Sequence, residues 1–336
     1  MKIAVDAMGG DFAPADVVQG AVIGAKESGV GIILVGQESK IRGELSKYDT
    51  SRLDIEIVHT DEYLVEGEQP AYALRTKRNA SIALATRLVR EKKADAVYSV
   101  GPTGGVVAAA LGYLGMVEGF SRPVVGGPFV GFAPNTVIMD GGGNVDCRPD
   151  QLLDFGIVGS VYAQKLLNIT NPTVAILSIG AEEGKGNELV KNAYPLFKKS
   201  GLNFIGNVEG YDIVTGKANV IVCDGFVGNV LVKFYESLGK VEVKWLESQL
   251  AGKLPRLEIE NICNNLIRLT NVADMSGGGP IWAVNGLVMK GHGRSRYNEI
   301  ARGIVQTRDL IEKDIVNALK NELTTIRNRL QAKESQ

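Results

Sequence analysis

The sequence predicts an α/β fold, a mostly parallel sheet covered on both faces by helices. Two observations carry this. Short apolar, β-branched runs recur, each ending in a glycine-rich loop, and a helical pattern often follows. Within these runs the apolar residues are continuous, not alternating, as in strands buried on both faces.

The elements follow in order. "KIAVDAMGGDFAP" is the first strand and loop, with a helix from about Pro14, a residue suited to a first helical turn. "IILVG" and "DIEIVH" are strands with plainer ends. "DAVYSVGPTGG" is a strand and loop, with "VVAAALGYLGM" as its helix. "NTVIMDGGGNVD", "TVAILSIGAEEGKGN" and "NVIVCDGFVGN" continue the series. Residues 228–272 predict a helical hairpin, and two such hairpins would form a four-helix bundle at a dimer interface. Val227, Leu231, Phe234, Leu238, Val241 and Trp245 form one apolar stripe; Ile259, Ile262, Cys263, Leu266 and Leu269 form another after Pro255. Sheet-like sequence returns near "WAVNGLVMKGHG". From about Glu299 to Leu330, helical spacing of Ile304, Ile311, Ile315, Leu319, Ile326 and Leu330 predicts one amphipathic helix. No Pro-, Ser- or charge-rich linker divides the chain, so residues 1–336 are expected to be a single α/β catalytic domain.

Composition narrows the function. The chain has 336 residues, 45% of them hydrophobic, so it can bury a sizeable core. A formal net charge of −1 gives no global signal for nucleic acid. The N-terminal apolar stretch is too short for a signal peptide. Residues 123–139 are uncharged but hold three prolines and three glycines, whereas a spanning helix needs roughly 20 mostly apolar residues. Cys147, Cys223 and Cys263 make no C-x-x-C pair or zinc spacing. Cys223 and Cys263 read as core thiols, and the absence of a disulfide framework suggests a reducing cytoplasm.

The loops point to anions. In an α/β sheet the loops after the strands gather on one edge, where ligands bind, so the glycine loops are expected to share one crevice. A strand–glycine loop–helix unit presents unpaired N–H groups and a partial positive charge. "ILSIGAEEGKGNEL", residues 176–189, adds Lys185 to such a loop. It falls one residue short of the ATP-binding pattern G-x-x-x-x-G-K-[ST], and Gly186 stands where the magnesium-binding hydroxyl belongs. Lys185 either meets another anion or is simply solvated. No loop matches G-x-G-x-x-G, which argues against a dinucleotide cofactor. No G-x-S-x-G elbow is present, and Cys147 is a poor candidate nucleophile. His59 ends a strand as a structural residue would, while His292 lies in the glycine-flanked "KGHGRS" and is open to ligand contact. Asp6, Asp11, Asp140, Asp146 and Asp224 crowd the loops; capping and loop orientation are favoured over magnesium binding. Anion sites without a protein nucleophile suit a reaction whose nucleophile is the bound anion.

Several motifs together resemble one family. They are "MKIAVDAMGGDFAP", "ALRTKRNAS", "GGNVDCRPD", "GSVYAQ", "EEGKGNEL", "NFIGNVEG" and "CDGFVGN", in order over nearly the whole chain. The chain is similar to the bacterial acyl-carrier-protein:phosphate acyltransferases of phospholipid synthesis. The resemblance implies a three-layer α/β/α sandwich related to phosphate acetyltransferases and isocitrate-type dehydrogenases. It implies a cytoplasmic homodimer in which inorganic phosphate attacks a fatty acyl thioester on acyl carrier protein, without a cofactor or metal. The acyl phosphate would go to a membrane glycerol-3-phosphate acyltransferase. Phosphate is already nucleophilic near neutral pH, and a thiolate with a pKa near ~8.5 leaves readily. The expected site is Lys185 on phosphate, and Asn229 with the backbone at Gly225 and Gly228 on phosphate or oxyanion. The Gly9–Gly10 and Thr103–Gly104 loops complete it. Asn187 either contacts the ligand or caps its helix. Three departures bear on detail: "GPTGG" stands for the family's Gly-Asn-Thr-Gly-Ala, Phe12 for a frequent histidine, and "MDGGGNVD" keeps Asn144 and Asp146 of a commoner variant.

Two surfaces complete the reading. Carrier protein is acidic, so Arg75, Lys77 and Arg78 in "RTKR" form a candidate docking surface, the alternative being a solvated helix face. In the hairpin turn "QLAGKLPRL", Leu254 and Leu257 beside Lys253 and Arg256 suit an anionic bilayer surface and peripheral membrane association, or else pack on a second subunit. Rival readings are a phosphate acetyltransferase-like enzyme using acyl-CoA, an NAD-dependent 2-hydroxy acid dehydrogenase of related fold, and a non-enzymatic ligand-binding fold.

Overall fold

Each apolar run that ends in a glycine loop is a strand. In the computed structural model, which describes residues 1–334, β1 (Lys2–Asp6) leads into α1 (Ala15–Ser28), and β2 (Gly31–Gly36), α2 (Glu38–Leu45) and β3 (Ile55–His59) follow. Helices α3 (Pro70–Thr76) and α4 (Ser81–Arg90) precede β4 (Ala96–Ser99), and α5 (Thr103–Ala109) runs into a π-helical turn, Ala110–Leu114. Next come β5 (Val124–Gly127), β6 (Val137–Met139), α6 (Pro149–Leu166), β7 (Thr173–Leu177), α7 (Glu188–Ser200), β8 (Asn203–Val208), α8 (Gly210–Thr215) and β9 (Val220–Val222). After these, α9 (Gly225–Leu250), α10 (Arg256–Thr270) and α11 (Val272–Met275) lead to β10 (Gly279–Trp282) and β11 (Leu287–Lys290), then α12 (Tyr297–Glu312) and α13 (Ile315–Glu334). The chain divides into two units: Met1–Pro123 with Ser276–Ala318, and Val124–Met275 with the stretch from Leu319.

In the first unit the strands run β3-β2-β1-β4-β11-β10, parallel except for β10 against β11. The central strands are buried throughout, which is why their sequences are unbroken apolar runs. One face, with Ala4, Ile33, Val35 and Val97, packs on Ile82, Ala83 and Ala85 of α4 and Val106 of α5. On the other face Tyr98 lies against α12, donating its hydroxyl hydrogen bond to the Gly277 carbonyl at 2.8 Å. Helices α1 and α12 pack through small residues: a Cβ on Gly20 would stand 2.6 Å from Ile300, and one on Gly24 2.9 Å from Ile304.

In the second unit the order is β5-β6-β9-β7-β8, with only β5–β6 antiparallel. Ile138, Ala175 and Ile221 face Val227, Leu231 and Tyr235 of α9. Met139 and Val220 face Gly159 of α6, where a Cβ would come within 2.3 Å of Val220. Each unit is therefore a three-layer α/β/α arrangement around a mostly parallel sheet, as expected. Strands β5, β8 and β10 went unassigned in the sequence, because they are short or broken by glycine and proline.

One expectation changes. The single helix from Glu299 to Leu330 is two. Lys313 and Asp314 leave the helix, Asp314 at φ 48°, and its carboxylate accepts from the Asn317 amide at 2.9 and 3.0 Å. The four-residue step from Ile311 to Ile315 conceals that break from periodicity. The hairpin expected over residues 228–272 is formed by α9 and α10. Helix α9 meets α10 through Gly239, against which Thr270 packs, and through Val243 beside Cys263. Phe234, Val241 and Trp245 are instead more than 60% exposed.

Candidate functional site

At the carboxyl edge of the first unit, β1, β4 and β11 end side by side in Asp6, Ser99 and Lys290. Strand order reverses between β1 and β4, the kind of switch point where α/β sheets bind ligands. Asp6 is buried. Its Oδ1 accepts from Ser81 Oγ at 2.6 Å and from the Met8 N–H at 3.3 Å, and its Oδ2 accepts from Ser99 Oγ at 2.8 Å. Burial pushes its pKa up, and the two hydroxyls pull it back. Asp6 thus pins the following loop. A Cβ on Gly9 would lie 2.7 Å from both Asp6 Oδ2 and the Gly101 nitrogen, so only glycine lets the two loops touch. Gly10 follows, and exposed Thr103 and Gly104 open α5. Thr103, Gly104, Gly101, Glu66 and Lys290 line a cleft of about 390 Å³. A larger groove of about 660 Å³ beside edge strand β3, between Leu45, Tyr48 and Ile57, includes none of the glycine loops and receives no role.

The second unit repeats the device. Asp140 ends β6 and is buried; its Oδ1 accepts from the N–H groups of Gly142 and Gly143 at 3.0 and 2.9 Å, and its Oδ2 from the Asn144 amide at 2.7 Å. Burial raises its pKa while these donors lower it. Asp224 caps α9 by accepting from the Val227 N–H at 2.9 Å. The Gly225 N–H is donated to the Asn144 carbonyl at 2.7 Å and the Gly228 N–H to the Asp224 carbonyl at 3.0 Å. Both glycines therefore serve close packing here, their donors being engaged within the protein. Asn229 is exposed and lies over Gly142, whose added Cβ would come within 3.2 Å of it.

Lys185 rises from the loop after β7, the strand beside β9. It is exposed, and its stem lies against Gly180. No carboxylate pairs with it among the described residues. Gly186 takes φ 104°, open to glycine at low cost. Asn187 caps α7, its Oδ1 accepting from the Val190 N–H at 3.0 Å, and its side chain is exposed. The loop is held from below by Asn207, whose amide donates to the Glu182 carbonyl at 2.9 Å. Asn207 carries no signal beyond its place in "NFIGNVEG".

The other candidates fall as follows. Cys223 and Cys263 are buried, and burial holds the Cys223 thiol well above the ordinary range, which disfavours thiolate chemistry. Cys147 donates to the Asn144 carbonyl at 3.4 Å. His59 Nδ1 accepts from the Glu38 N–H at 3.3 Å, a structural role. The Phe12 ring carries the Arg296 guanidinium 4.0 Å from its centroid. Lys77 is tied to Glu68 at 2.5 Å and donates to the Tyr63 carbonyl at 3.1 Å, whereas Arg75 and Arg78 are exposed. Arg87 and Arg90 both lie 5.9 Å from the Tyr113 ring centroid. At the hairpin tip Leu254 is half-buried, and Leu257, on α10, is 70% exposed. Sequence reasoning missed Lys290, whose only signal is a charge ending an apolar strand before "GHG".

Parallel strands, glycine loops pinned by buried aspartates, and lysines at both carboxyl edges define an α/β protein suited to handling anions. Residues 1–318 match the family described as "Fatty acid synthesis protein". The chain is 40% identical over 330 residues to a phosphate acyltransferase of Pelotomaculum thermopropionicum, covering 97% of this chain and 96% of that one. It is also 40% identical over 336 residues to a phosphate acyltransferase of Dictyoglomus turgidum, at 98% and 99% coverage. Among solved structures, a phosphotransacetylase from Streptococcus pyogenes superposes with a TM-score of 0.63 at 19% identity, covering 93% and 94% of the two chains. A 4-hydroxythreonine-4-phosphate dehydrogenase from Klebsiella pneumoniae reaches 0.52 at 12% identity, with 93% and 98% covered. The fold thus hosts two chemistries, and it is sequence that chooses between them. The chain belongs to the phosphate acyltransferase family, enzymes that transfer an acyl group to phosphate.

Proposed function

We propose that the protein transfers a fatty acyl group from acyl carrier protein to inorganic phosphate, supplying acyl phosphate for phospholipid synthesis. Family membership over nearly the whole chain carries the reaction type. A phosphate oxygen attacks the thioester carbonyl, the C–S bond breaks as the C–O bond forms, and the proton lost by phosphate ends on the thiol. Phosphate needs positioning and the oxyanion needs donors; neither requires a protein nucleophile. Lys185 and Asn229 are assigned to phosphate and oxyanion. Both are exposed, at the carboxyl ends of neighbouring strands, with no hydrogen-bond partner among the described residues that would occupy their polar atoms. Gly225 and Gly228 hold the Asn229 turn against the 140–144 loop. In the first unit Gly9, Gly10, Thr103 and Gly104 are assigned contacts of the same class, to anionic oxygen.

The acidic carrier is assigned to exposed Arg75 and Arg78, with Arg87 and Arg90 beside them, and Lys77 holding the loop in place. The α9 face with Phe234, Val241 and Trp245 is assigned to a second copy in a homodimer: three large exposed apolar side chains on one helix face favour burial. No helix among the described residues is long and apolar enough to cross a membrane. The tip with Leu254 and Leu257 is assigned transient contact with an anionic bilayer, placing a cytoplasmic enzyme near the membrane glycerol-3-phosphate acyltransferase that would consume its product. Side-by-side assays with acyl carrier protein and acyl-CoA donors at millimolar phosphate test the reading. Acyl phosphate should form preferentially from the carrier; preference for acyl-CoA would reassign the donor, and no product from folded enzyme would end the proposal.

A further inference from the structure

Lys290 is unlike the other lysines of the first unit. It ends a buried strand, its side chain lines the 390 Å³ cleft with Gly101, Thr103 and Gly104, and its ammonium donates to the neighbouring Gly291 carbonyl. Among the described residues no carboxylate lies within 4.0 Å of it. The surrounding acids are committed elsewhere. Asp6 is held by Ser81 and Ser99, and Glu68 is paired with Lys77. Glu66, which acts on Lys290 only through space, is exposed on the rim. A half-buried ammonium lacking a carboxylate partner, facing a cleft floored by glycines, is stabilised by an anion entering that cleft.

We propose that Lys290 is an anion-binding residue of this cleft and that its ligand is a phosphate-class anion. Two sources share that chemistry, inorganic phosphate and the phosphodiester of the arm that carries the thioester. The choice of phosphate-class anions rests on the acyltransferase reading above. The cleft lies within the ~300–1,000 Å³ range of small-molecule sites, so it has room for either. Burial lowers the Lys290 pKa to about 8, and a docked anion would restore its full charge.

The test is calorimetric binding of inorganic phosphate and, separately, of pantetheine 4′-phosphate to the parent, Lys290→Met and Lys290→Arg proteins. Reductive methylation of the parent, read by mass spectrometry with and without each probe, accompanies it. Lys290→Met should weaken at least one probe about tenfold or more, and Lys290→Arg should recover most of that loss. Lys290 should also be protected from methylation by the same probe. Weakening confined to inorganic phosphate identifies the free anion, and weakening confined to the pantetheine probe identifies the donor arm. Parent protein that binds neither probe, Lys290→Met affinities within about twofold of the parent for both, or Lys290 labelled equally with and without probe would overturn the proposal. Labelling needs no variant, so a misfolded Lys290→Met protein leaves the test intact. Both readouts are independent of turnover. A parent that protects Lys290 but forms no acyl phosphate refutes the acyltransferase reading instead.

Discussion

Gly228 offers the sharpest test of the second unit. A Cβ added there would stand 1.9 Å from the Asp140 carbonyl oxygen and 2.9 Å from its carbon. An ordinary C···O contact is about 3.3 Å, so Gly228→Ala demands that helix and loop separate by about 1.4 Å. Both partners are backbone. The helix is fixed by the Asp224 cap, and the loop by the hydrogen bonds that Asp140 accepts. Overpacking costs about 1–3 kcal/mol where side chains can yield, and this site sits at or above the upper end. About 3 kcal/mol corresponds to a fall in Tm of roughly 6–12 °C for a unit of this size. Gly43→Ala is the control: Gly43 lies inside α2 with nothing within 4 Å of its added Cβ. That change should stabilise by about 0.5–1 kcal/mol through helix propensity. Differential scanning calorimetry on the two variants and the parent reads both effects. A Gly228→Ala protein melting within a degree or so of the parent would refute the close approach of α9 to the 140–144 loop.

The remaining predictions concern the site, the tip and pH. Lys185→Ala and Asn229→Ala should each lower kcat/KM at least about tenfold, ~1.4 kcal/mol of transition-state stabilisation, with Tm nearly unchanged because both side chains are exposed. Near-parental activity in either variant removes that residue from the site. Leu254→Glu with Leu257→Glu should reduce co-sedimentation with anionic vesicles while the dimer and the soluble assay persist; loss of the dimer instead would favour packing of these leucines on a second subunit. Asp154 is buried in α6, and burial, opposed by Arg327 at 3.3 Å, raises its pKa to about 7. An unfolded Asp titrates near ~3.9, so folding takes up a proton between these values. The stability from that proton is fully present below the unfolded pKa and is lost as pH rises through about 7. Tm measured from pH 5 to 8 should therefore shift in favour of Asp154→Asn as pH rises, and parallel curves for parent and variant would contradict the raised pKa.

The architecture was legible where local chemistry and burial agree. Continuous apolar runs such as "KIAVD" and "GIILVG" are the central parallel strands because such strands are buried on both faces. The glycine loops followed for the same reason, as did the core placement of Cys223 and Cys263. Periodicity failed where it had no phase change to report, at Lys313–Asp314, and where strands are too short for any pattern, as in β5 and β10. In the candidate site, loop composition and family resemblance single out Lys185, Asn229 and the glycines, and the fold leaves Lys185 and Asn229 exposed after neighbouring strands. Sequence left Asn187 between ligand and cap; the fold supplies the Val190 N–H that its Oδ1 caps. It proposed Gly225 and Gly228 as anion donors, whereas their N–H groups meet carbonyls brought in from elsewhere in the fold or helix. It passed over Lys290 altogether. A lysine at a strand end looks solvated in sequence, and only the neighbouring strands, which bury its stem and bring Gly101 and Thr103 beside it, make its charge a feature of a cleft. Sequence alone determined the continuous apolar strands, the glycine loops and the family. Tertiary structure decided which polar groups in those loops are already engaged, because a hydrogen-bond partner distant along the chain leaves no trace in the residue it occupies.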